Sequence, residues 1–189
     1  MLEKIKELDT YLFLYLNGIH NPFFDQIMYW ASDKIFWAPF YLLIVYIIIK
    51  QYKRQSISVF IAIGLVITFC DQTASHLIKN IVKRLRPSHE PALQKFIHLS
   101  EAGPGGQYGF ISSHSANAFG FATFLILLLP NKYNWLKGIL LFWAILVAYS
   151  RIYNGVHYPT DVIVAMFLGI IYGYLAKTIL VKHDLSYKY

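Results

Sequence analysis

Apolar runs separated by short polar stretches recur along the 189 residues of this chain. Five of these runs approach the roughly 20 residues with which an α-helix spans a bilayer. They cover residues 35–49, 57–77, 116–129, 136–149 and 162–181. The pattern predicts an all-α fold, a polytopic transmembrane helical bundle with about five spanning helices, in a domain at residues 34–189.

Residues 1–33 have a different pattern, in which apolar residues alternate with charged and amide residues. Asn21-Pro22 interrupts this stretch, which predicts two amphipathic helices lying in the membrane interface. Acidic residues near the start break the basic-then-apolar order of a secretory signal peptide, so that interpretation is disfavoured. The aromatic residues Phe23, Phe24 and Trp30 are expected to border a lateral entrance for lipid.

The composition supports an integral membrane protein, because 57% of the residues are hydrophobic and 14% are charged. The formal net charge of +7 is dispersed among apolar runs, which argues against nucleic acid and for an anionic lipid as partner. The single cysteine, Cys70, lies in an apolar run and is expected to be a packing residue. Ala165, Gly169 and Gly173 form a small-residue ridge that should pack within the bundle, so an oligomer is not required.

Lysine and arginine in short loops orient membrane helices, because such loops stay in the cytoplasm. Basic residues follow the first, third and fifth apolar runs, the last of them at Lys182 and Lys188. The segments at 80–112 and 151–160 are therefore predicted on the extracytoplasmic face. The three polar clusters of the chain all end on that face.

The first cluster is the run Lys79-Asn-Ile-Val-Lys83-Arg84-Leu-Arg86-Pro87. If the helix continues to Pro87, then Lys79, Lys83 and Arg86 share one helical face. Arg86 could donate a planar fork to two phosphate oxygens, with Lys79 as a point charge. The alternative is a basic patch at the membrane edge that binds lipid head groups.

The second cluster, Ser112-Ser113-His114, follows a glycine-rich stretch and precedes an apolar run. Hydroxyl residues before a helix are N-cap candidates, and a helix N-terminus offers free backbone N–H groups to an anion. The cluster therefore predicts a phosphate site. Ordinary capping beside an interfacial His114 is the alternative.

The third cluster contains Arg151, His157 and Asp161, with Gly155 and Pro159 marking a tight turn between two helices. His157 and Asp161 are four residues apart, close enough for the carboxylate to fix the tautomer of the imidazole and raise its basicity. An imidazole oriented in this way can attack phosphorus. A His–Asp pair that only stabilises the turn is the alternative.

Two more polar residues are candidates for supporting the site. Asp71 lies inside an apolar run, where an acid is costly, and is spaced by four from Ser75 and again from Lys79. We predict that Asp71 contacts a cation of the site, with a hydrogen bond to a neighbouring helix as the alternative. Asn117 is a candidate for the same supporting role.

The three clusters together resemble the three-part signature of the type 2 phosphatidic acid phosphatase (PAP2) superfamily. The matching residues are Lys79-x6-Arg86-Pro87, Ser-Ser-His114 and Ser150-Arg151-x5-His157-x3-Asp161. The family usually has Pro-Ser-Gly-His where this chain has Ile111-Ser112-Ser113-His114. The resemblance implies a membrane lipid phosphatase of the bacterial inner membrane, with its active site on the periplasmic side and no cofactor or metal.

The resemblance also implies a role for each motif residue. His157 would attack phosphorus and form a phosphohistidine, while Asp161 orients the ring. His114 would protonate the leaving oxygen and later activate water. The phosphoryl oxygens would be held by Lys79, Arg86, Ser112, Ser113 and Arg151.

The expected substrate is a lipid phosphate, foremost undecaprenyl diphosphate, which would be converted to undecaprenyl phosphate. Lipid A and phosphatidylglycerol phosphate are the alternative substrates. A vanadium haloperoxidase is disfavoured because the chain is short and membrane-embedded. A non-enzymatic lipid transporter is disfavoured because it has no need to align a nucleophile, an acid and three cations.

Overall fold

The computed structural model describes residues 2–185, and in this part of the chain the regular structure is helical, as predicted. Lys188, one of the basic residues that follow the fifth apolar run, lies outside the described residues. The helices are α1 (Leu2–Gly18), α2 (Pro22–Ser32), α3 (Ala38–Tyr52), α4 (Ser56–Asp71), α5 (Lys79–Val82), α6 (Ser113–Leu128), α7 (Asn134–Tyr153) and α8 (Pro159–Leu180). A π-helical turn, Gln72–Ile78, joins α4 to α5.

Within residues 2–185, three helical stretches are long and apolar enough to cross a membrane, judged by length and composition alone. They are Ala38–Val82, Asn131–Tyr153 and Pro159–Asp184, and α6 is a shorter apolar helix. The first stretch contains both α3 and α4, and the chain turns between them at Lys53, whose φ is +50°. A positive φ is unusual for a residue with a side chain, so Lys53 marks a break between two helices.

The buried core is centred on α6, which packs against α4, α7 and α8. Gly169 and Gly173 of α8 lie directly on the backbone of α6, where a Cβ at Gly173 would be 2.6 Å from the carbonyl oxygen of Gly120. The small-residue ridge therefore packs within the bundle, as predicted. Cys70 is also fully buried, at 0% exposure, against this contact.

Helix α1 packs on the end of the bundle at which α7 ends and α8 begins. Phe13 is fully buried, and its ring meets that of Tyr158 edge to face at 5.4 Å between centroids. The buried Asn17 donates from Nδ2 to the carbonyl oxygen of Tyr153 at 2.8 Å and accepts the backbone N–H of His98 at 2.8 Å. The other face of α1 is exposed and rich in apolar side chains, with Ile5, Leu8, Tyr11, Leu12 and Tyr15.

The chain departs from the predicted helix in the first cluster. α5 ends at Val82, because Lys83 adopts the left-handed conformation with φ +49°. Arg86 follows in an extended conformation, so the prediction that Lys79, Lys83 and Arg86 share one helical face is wrong. The extended segment is held by two backbone bonds: the N–H of Arg86 donates to the carbonyl of Gln107, and the N–H of Gly109 donates to that of Arg84.

Candidate active site

The three predicted clusters meet at one end of the bundle. The backbone N–H of Ser112 donates to the carbonyl oxygen of Asp161 at 3.2 Å, which joins the start of α6 to the first turn of α8. The Cα of Gly109 lies so close to the first and third clusters that a Cβ there would be 3.0 Å from Arg86 Cγ and 3.2 Å from Asp161 Oδ2. Gly109 therefore lets the extended segment approach the carboxylate.

His157 and Asp161 form a buried pair at this junction. His157 is 1% exposed and Asp161 is 0% exposed, and Nδ1 of the imidazole lies 3.3 Å from Oδ2 of the carboxylate. The same Oδ2 accepts the backbone N–H of Tyr158 at 3.0 Å. The turn that carries His157 requires Gly155, which has φ +76° and whose Cβ would be 2.7 Å from the carbonyl oxygen of His98.

The surroundings keep the His157 ring neutral. Burial lowers the pKa of His157 well below 6.5, and the positive charges of Arg86, Arg151 and Lys79 lower the pKa further. A neutral imidazole whose Nδ1 faces a carboxylate carries its free lone pair on Nε2. The arrangement therefore suits a nucleophile.

Lys79, Arg86 and Arg151 have no acidic partner in the described part of the chain. Within residues 3–184, none of these three side chains forms an ion pair with a carboxylate within 4.0 Å. Arg86 is 9% exposed and Arg151 is 8% exposed, and Nε of Arg151 is buried without a hydrogen-bond partner. Burying unpaired cations is costly, so these residues form a site ready for an anion.

The start of α6 contributes further donors. Ser112 caps the helix, and its Oγ accepts the backbone N–H of Ser115 at 3.3 Å. The amides of Ser113 and His114 belong to the first turn, where backbone N–H groups have no partner within the helix. Ser113 is not among the residues with a positive φ, so a side chain fits where the family usually has glycine. Asn117 lies one turn further on, with its Oδ1 buried and unpartnered.

Asp71 accepts a hydrogen bond from Ser75 Oγ at 3.3 Å and forms no ion pair with Lys79. The supporting role of Asp71 thus stays a prediction.

Sequence reasoning missed Arg84, Asp9 and Thr160. Arg84 forms ion pairs with Asp9 at 2.7 Å and with Asp161 at 3.1 Å. Asp9 also accepts the backbone N–H of Thr160 at 2.9 Å. The only signal in the sequence was the first arginine of the Arg84-Leu-Arg86-Pro87 run, because nothing in the pattern of α1 distinguishes Asp9 from its exposed neighbours.

One further polar group could hold a metal ion. Among the described residues, His20, Asp25 and His98 bring three potential ligand atoms within 4.8 Å of one another. The two rings are stacked with centroids 3.8 Å apart, and Asp25 Oδ1 already binds His98 Nε2 at 2.8 Å and Tyr153 Oη at 2.7 Å. These contacts satisfy Asp25 and His98 without a metal, and they do not involve His157.

An apolar cavity of about 370 Å³ opens beside His114 and Asn117. It runs between α3, α4, α6 and α7, and its aromatic lining comes from Trp37, Tyr41, Phe60, Phe121 and Trp143. Phe23, Phe24 and Trp30 do not line this cavity, so their place at a lateral entrance for lipid stays a prediction.

Comparison with known proteins agrees with the geometry. Residues 56–184 match the model of the PAP2 superfamily. A lipid A 4′-phosphatase of Bacteroides thetaiotaomicron is 38% identical over 93% of this chain and 78% of its own length. An undecaprenyl-diphosphatase of Sulfolobus acidocaldarius is 32% identical over 70% of this chain and 58% of its own length. The crystal structure of Aquifex aeolicus LpxE aligns with a TM-score of 0.67 and 26% identity, over 90% of this chain and 95% of that one.

Proposed function

The chain belongs to the PAP2 superfamily and is a membrane phosphatase of that family, and we propose that it removes a phosphate from lipid A through a phosphohistidine intermediate. The proposal is carried by three cations, which have no acidic partner among the described residues and whose charges act on the buried His157. A phosphate supplies the negative charge that such a site lacks.

The reaction takes two steps in this site. Nε2 of His157 attacks phosphorus, the bond from phosphorus to the leaving oxygen breaks, and His114 gives that oxygen a proton. His114 then takes a proton from water, which attacks the phosphohistidine and releases inorganic phosphate. The bound phosphate is negatively charged, and its charge helps His114 to hold the proton that the first step needs.

Each remaining motif residue has a part in this reaction. Asp161 holds the ring of His157 and stabilises the positive charge that develops on it. Lys79, Arg86 and Arg151, together with Ser112 and the amide of Ser113, bind the phosphoryl oxygens, whose charge spreads in the transition state. No step needs a metal or another cofactor.

The similarity supports lipid A over undecaprenyl diphosphate, which the sequence analysis placed first. The lipid A 4′-phosphatase has the higher identity and matches this chain over more of both lengths. The cavity beside His114 fits this substrate class, because it places an apolar surface on the side of the site where the acid meets the leaving group. An acyl chain of the leaving lipid can lie there.

We also propose a topology for this enzyme. α3, α4, α6, α7 and α8 span the bacterial inner membrane, and α1 and α2 lie in its outer interface. Large apolar side chains point outward from the bundle, among them Leu42, Ile61, Phe142, Phe167 and Ile171, each more than half exposed. Such a surface is stable against lipid. With the basic loops in the cytoplasm, the site opens on the periplasmic side.

A substrate panel tests the proposed function. Purified protein in detergent is incubated with lipid A, undecaprenyl diphosphate or phosphatidylglycerol phosphate, and released phosphate is measured. We expect the fastest release from lipid A, with mass spectrometry locating the loss at the 4′ position, and no effect of a chelator. Faster release from undecaprenyl diphosphate would contradict the lipid A assignment, and loss of activity in chelator, restored by a divalent ion, would contradict the metal-free mechanism.

A further inference from the structure

Asp9 is a buried carboxylate on a helix whose other acidic residues are exposed. It is 3% exposed. Its Oδ1 accepts the backbone N–H of Thr160, and its Oδ2 accepts both the Thr160 hydroxyl and Nη2 of Arg84. A buried carboxylate is retained only when it is paired and hydrogen-bonded, and Asp9 meets both conditions through residues at the active site.

Arg84 connects Asp9 to the catalytic pair. Its Nη2 donates to Asp9 at 2.7 Å, while its Nη1 donates to Asp161 Oδ1 at 3.1 Å. The guanidinium also lies over the ring of Tyr158, with Cζ 3.7 Å from the centroid. A planar guanidinium fixed on both sides and on one face holds its partners in a defined orientation.

The two oxygens of Asp161 have different tasks. Oδ1 accepts from Arg84, and Oδ2 faces Nδ1 of His157 at 3.3 Å. Arg84 therefore sets the rotation of the carboxylate that orients the imidazole. Because Asp9 shares the guanidinium, Arg84 neutralises less of the negative charge of Asp161. That charge stays available to stabilise the imidazolium that forms on His157.

We propose that Asp9 of α1 is a positioning residue for the phosphatase reaction, acting through Arg84 on the Asp161–His157 pair. The proposal rests on the roles of His157 and Asp161 in the proposed function. It makes α1 a part of the catalytic apparatus, in addition to its contact with the membrane interface.

The experiment compares Asp9→Asn, Arg84→Met, the double variant and Arg84→Lys, with wild-type protein and lipid A as substrate. Asp9→Asn is expected to lower kcat by about 10- to 100-fold, in the range found when a residue behind a catalytic ligand is changed. KM should stay near the wild-type value, because the groups that bind phosphate are unchanged. Arg84→Lys keeps the charge but not the planar fork, so it should also lower kcat.

The double variant separates positioning from a purely structural role. If Asp9 acts through Arg84, then Asp9→Asn should lower kcat no further, or should partly restore it, in the Arg84→Met background. A structural role of Asp9 at Thr160 would persist without Arg84 and add its own loss. The melting temperature of each variant in detergent shows whether it is folded. If Asp9→Asn does not fold, the ratio of kcat between Arg84→Lys and wild type decides whether the proposal stands.

Glu7→Gln is the matched control, because it makes the same chemical change two residues away on the exposed side of α1. It should leave kcat and KM unchanged. The proposal is overturned if Asp9→Asn keeps the wild-type kcat, if its loss is confined to KM, or if the losses in the double variant are additive. If Asp9→Asn does not fold, a wild-type kcat in Arg84→Lys would also overturn the proposal. Wild-type protein that releases no phosphate from any lipid would instead overturn the proposed function.

Discussion

At the residue scale, the site is marked by polar side chains that lack an ion-pair or hydrogen-bond partner among the described residues. Arg151 is buried, forms no ion pair among the described residues and leaves its Nε unpartnered. Arg84, only two residues from Arg86, binds two carboxylates. A paired arginine holds neighbouring parts of the protein together, whereas we propose that an unpaired one is available to substrate.

The first prediction concerns the nucleophile. His157→Ala should lower turnover by roughly 10⁴-fold or more, because it removes the atom that attacks phosphorus. Asp161→Asn should cost less, since the ring remains but is held and stabilised less well. Phosphate release under saturating substrate measures both, and an unchanged rate in folded His157→Ala would exclude the phosphohistidine.

The second prediction follows from the lowered pKa of His157. Below pH ~6.5 the unfolded chain binds a proton at this residue that the folded protein does not bind, so stability should fall as the pH decreases. Above that pH the residue contributes no pH dependence. The decrease in melting temperature from neutral to mildly acidic pH should therefore be smaller in His157→Gln than in wild type.

The same substitution at the exposed His76 serves as the control for the loss of one imidazole from the chain. Identical curves for wild type and His157→Gln would mean that His157 is protonated in the folded protein.

At the element scale, the helix ends position the residues of the site, and their boundaries are the least predictable feature of the fold. The pairing of His157 with Asp161 was predictable, because a spacing of four across the start of a helix brings the two side chains together. The end of α5 was not, since Lys83 adopts a left-handed conformation that its residue type does not favour. Asp9 and Arg84 are separated by 75 positions, so only the packing of α1 reveals their contact.

The third prediction concerns the contact between α6 and α8. A Cβ at Gly169 would be 2.7 Å from the backbone nitrogen of Gly120 and 3.1 Å from Phe119 Cβ. Gly169→Ala should therefore destabilise the protein by about 1–3 kcal/mol, the usual cost of overpacking. Thermal unfolding in detergent measures the change.

Gly64→Ala is the matched control, because a Cβ at Gly64 of α4 has nothing within 4 Å. It should be neutral or stabilising by about 0.5–1 kcal/mol, since alanine favours a helix. A wild-type melting temperature for Gly169→Ala would show that α6 and α8 can move apart without cost.

At the scale of the whole molecule, the bundle has an apolar outer surface and one polar end. The apolar pattern of the sequence predicts that surface, and the three motifs predict which end carries the site. The position of the cavity was not predictable from the sequence. It depends on how α3 packs beside α6 and α7, and not on any periodicity of α1 or α2.

The fourth prediction tests the topology. A cysteine replacing the exposed Glu101 should react with a membrane-impermeant thiol reagent added to the periplasmic side, and one replacing the exposed Arg54 should not. The protein's own Cys70 is fully buried and should give little background. The reverse labelling pattern would place the active site in the cytoplasm.

The last prediction concerns the cavity beside His114. Val45 of α3 lines the cavity, and a larger side chain there should occupy the space in which an acyl chain lies. Remote apolar binding positions the phosphate for attack, so Val45→Trp should reduce activity on lipid A far more than on a short water-soluble phosphate ester. Val164→Trp on α8 is the matched control. Val164 is 40% exposed, close to the 38% of Val45, but Val164 does not line the cavity. Equal losses of Val45→Trp on both substrates would mean that Val45 only supports the fold, and no loss on either would mean that the lipid binds elsewhere.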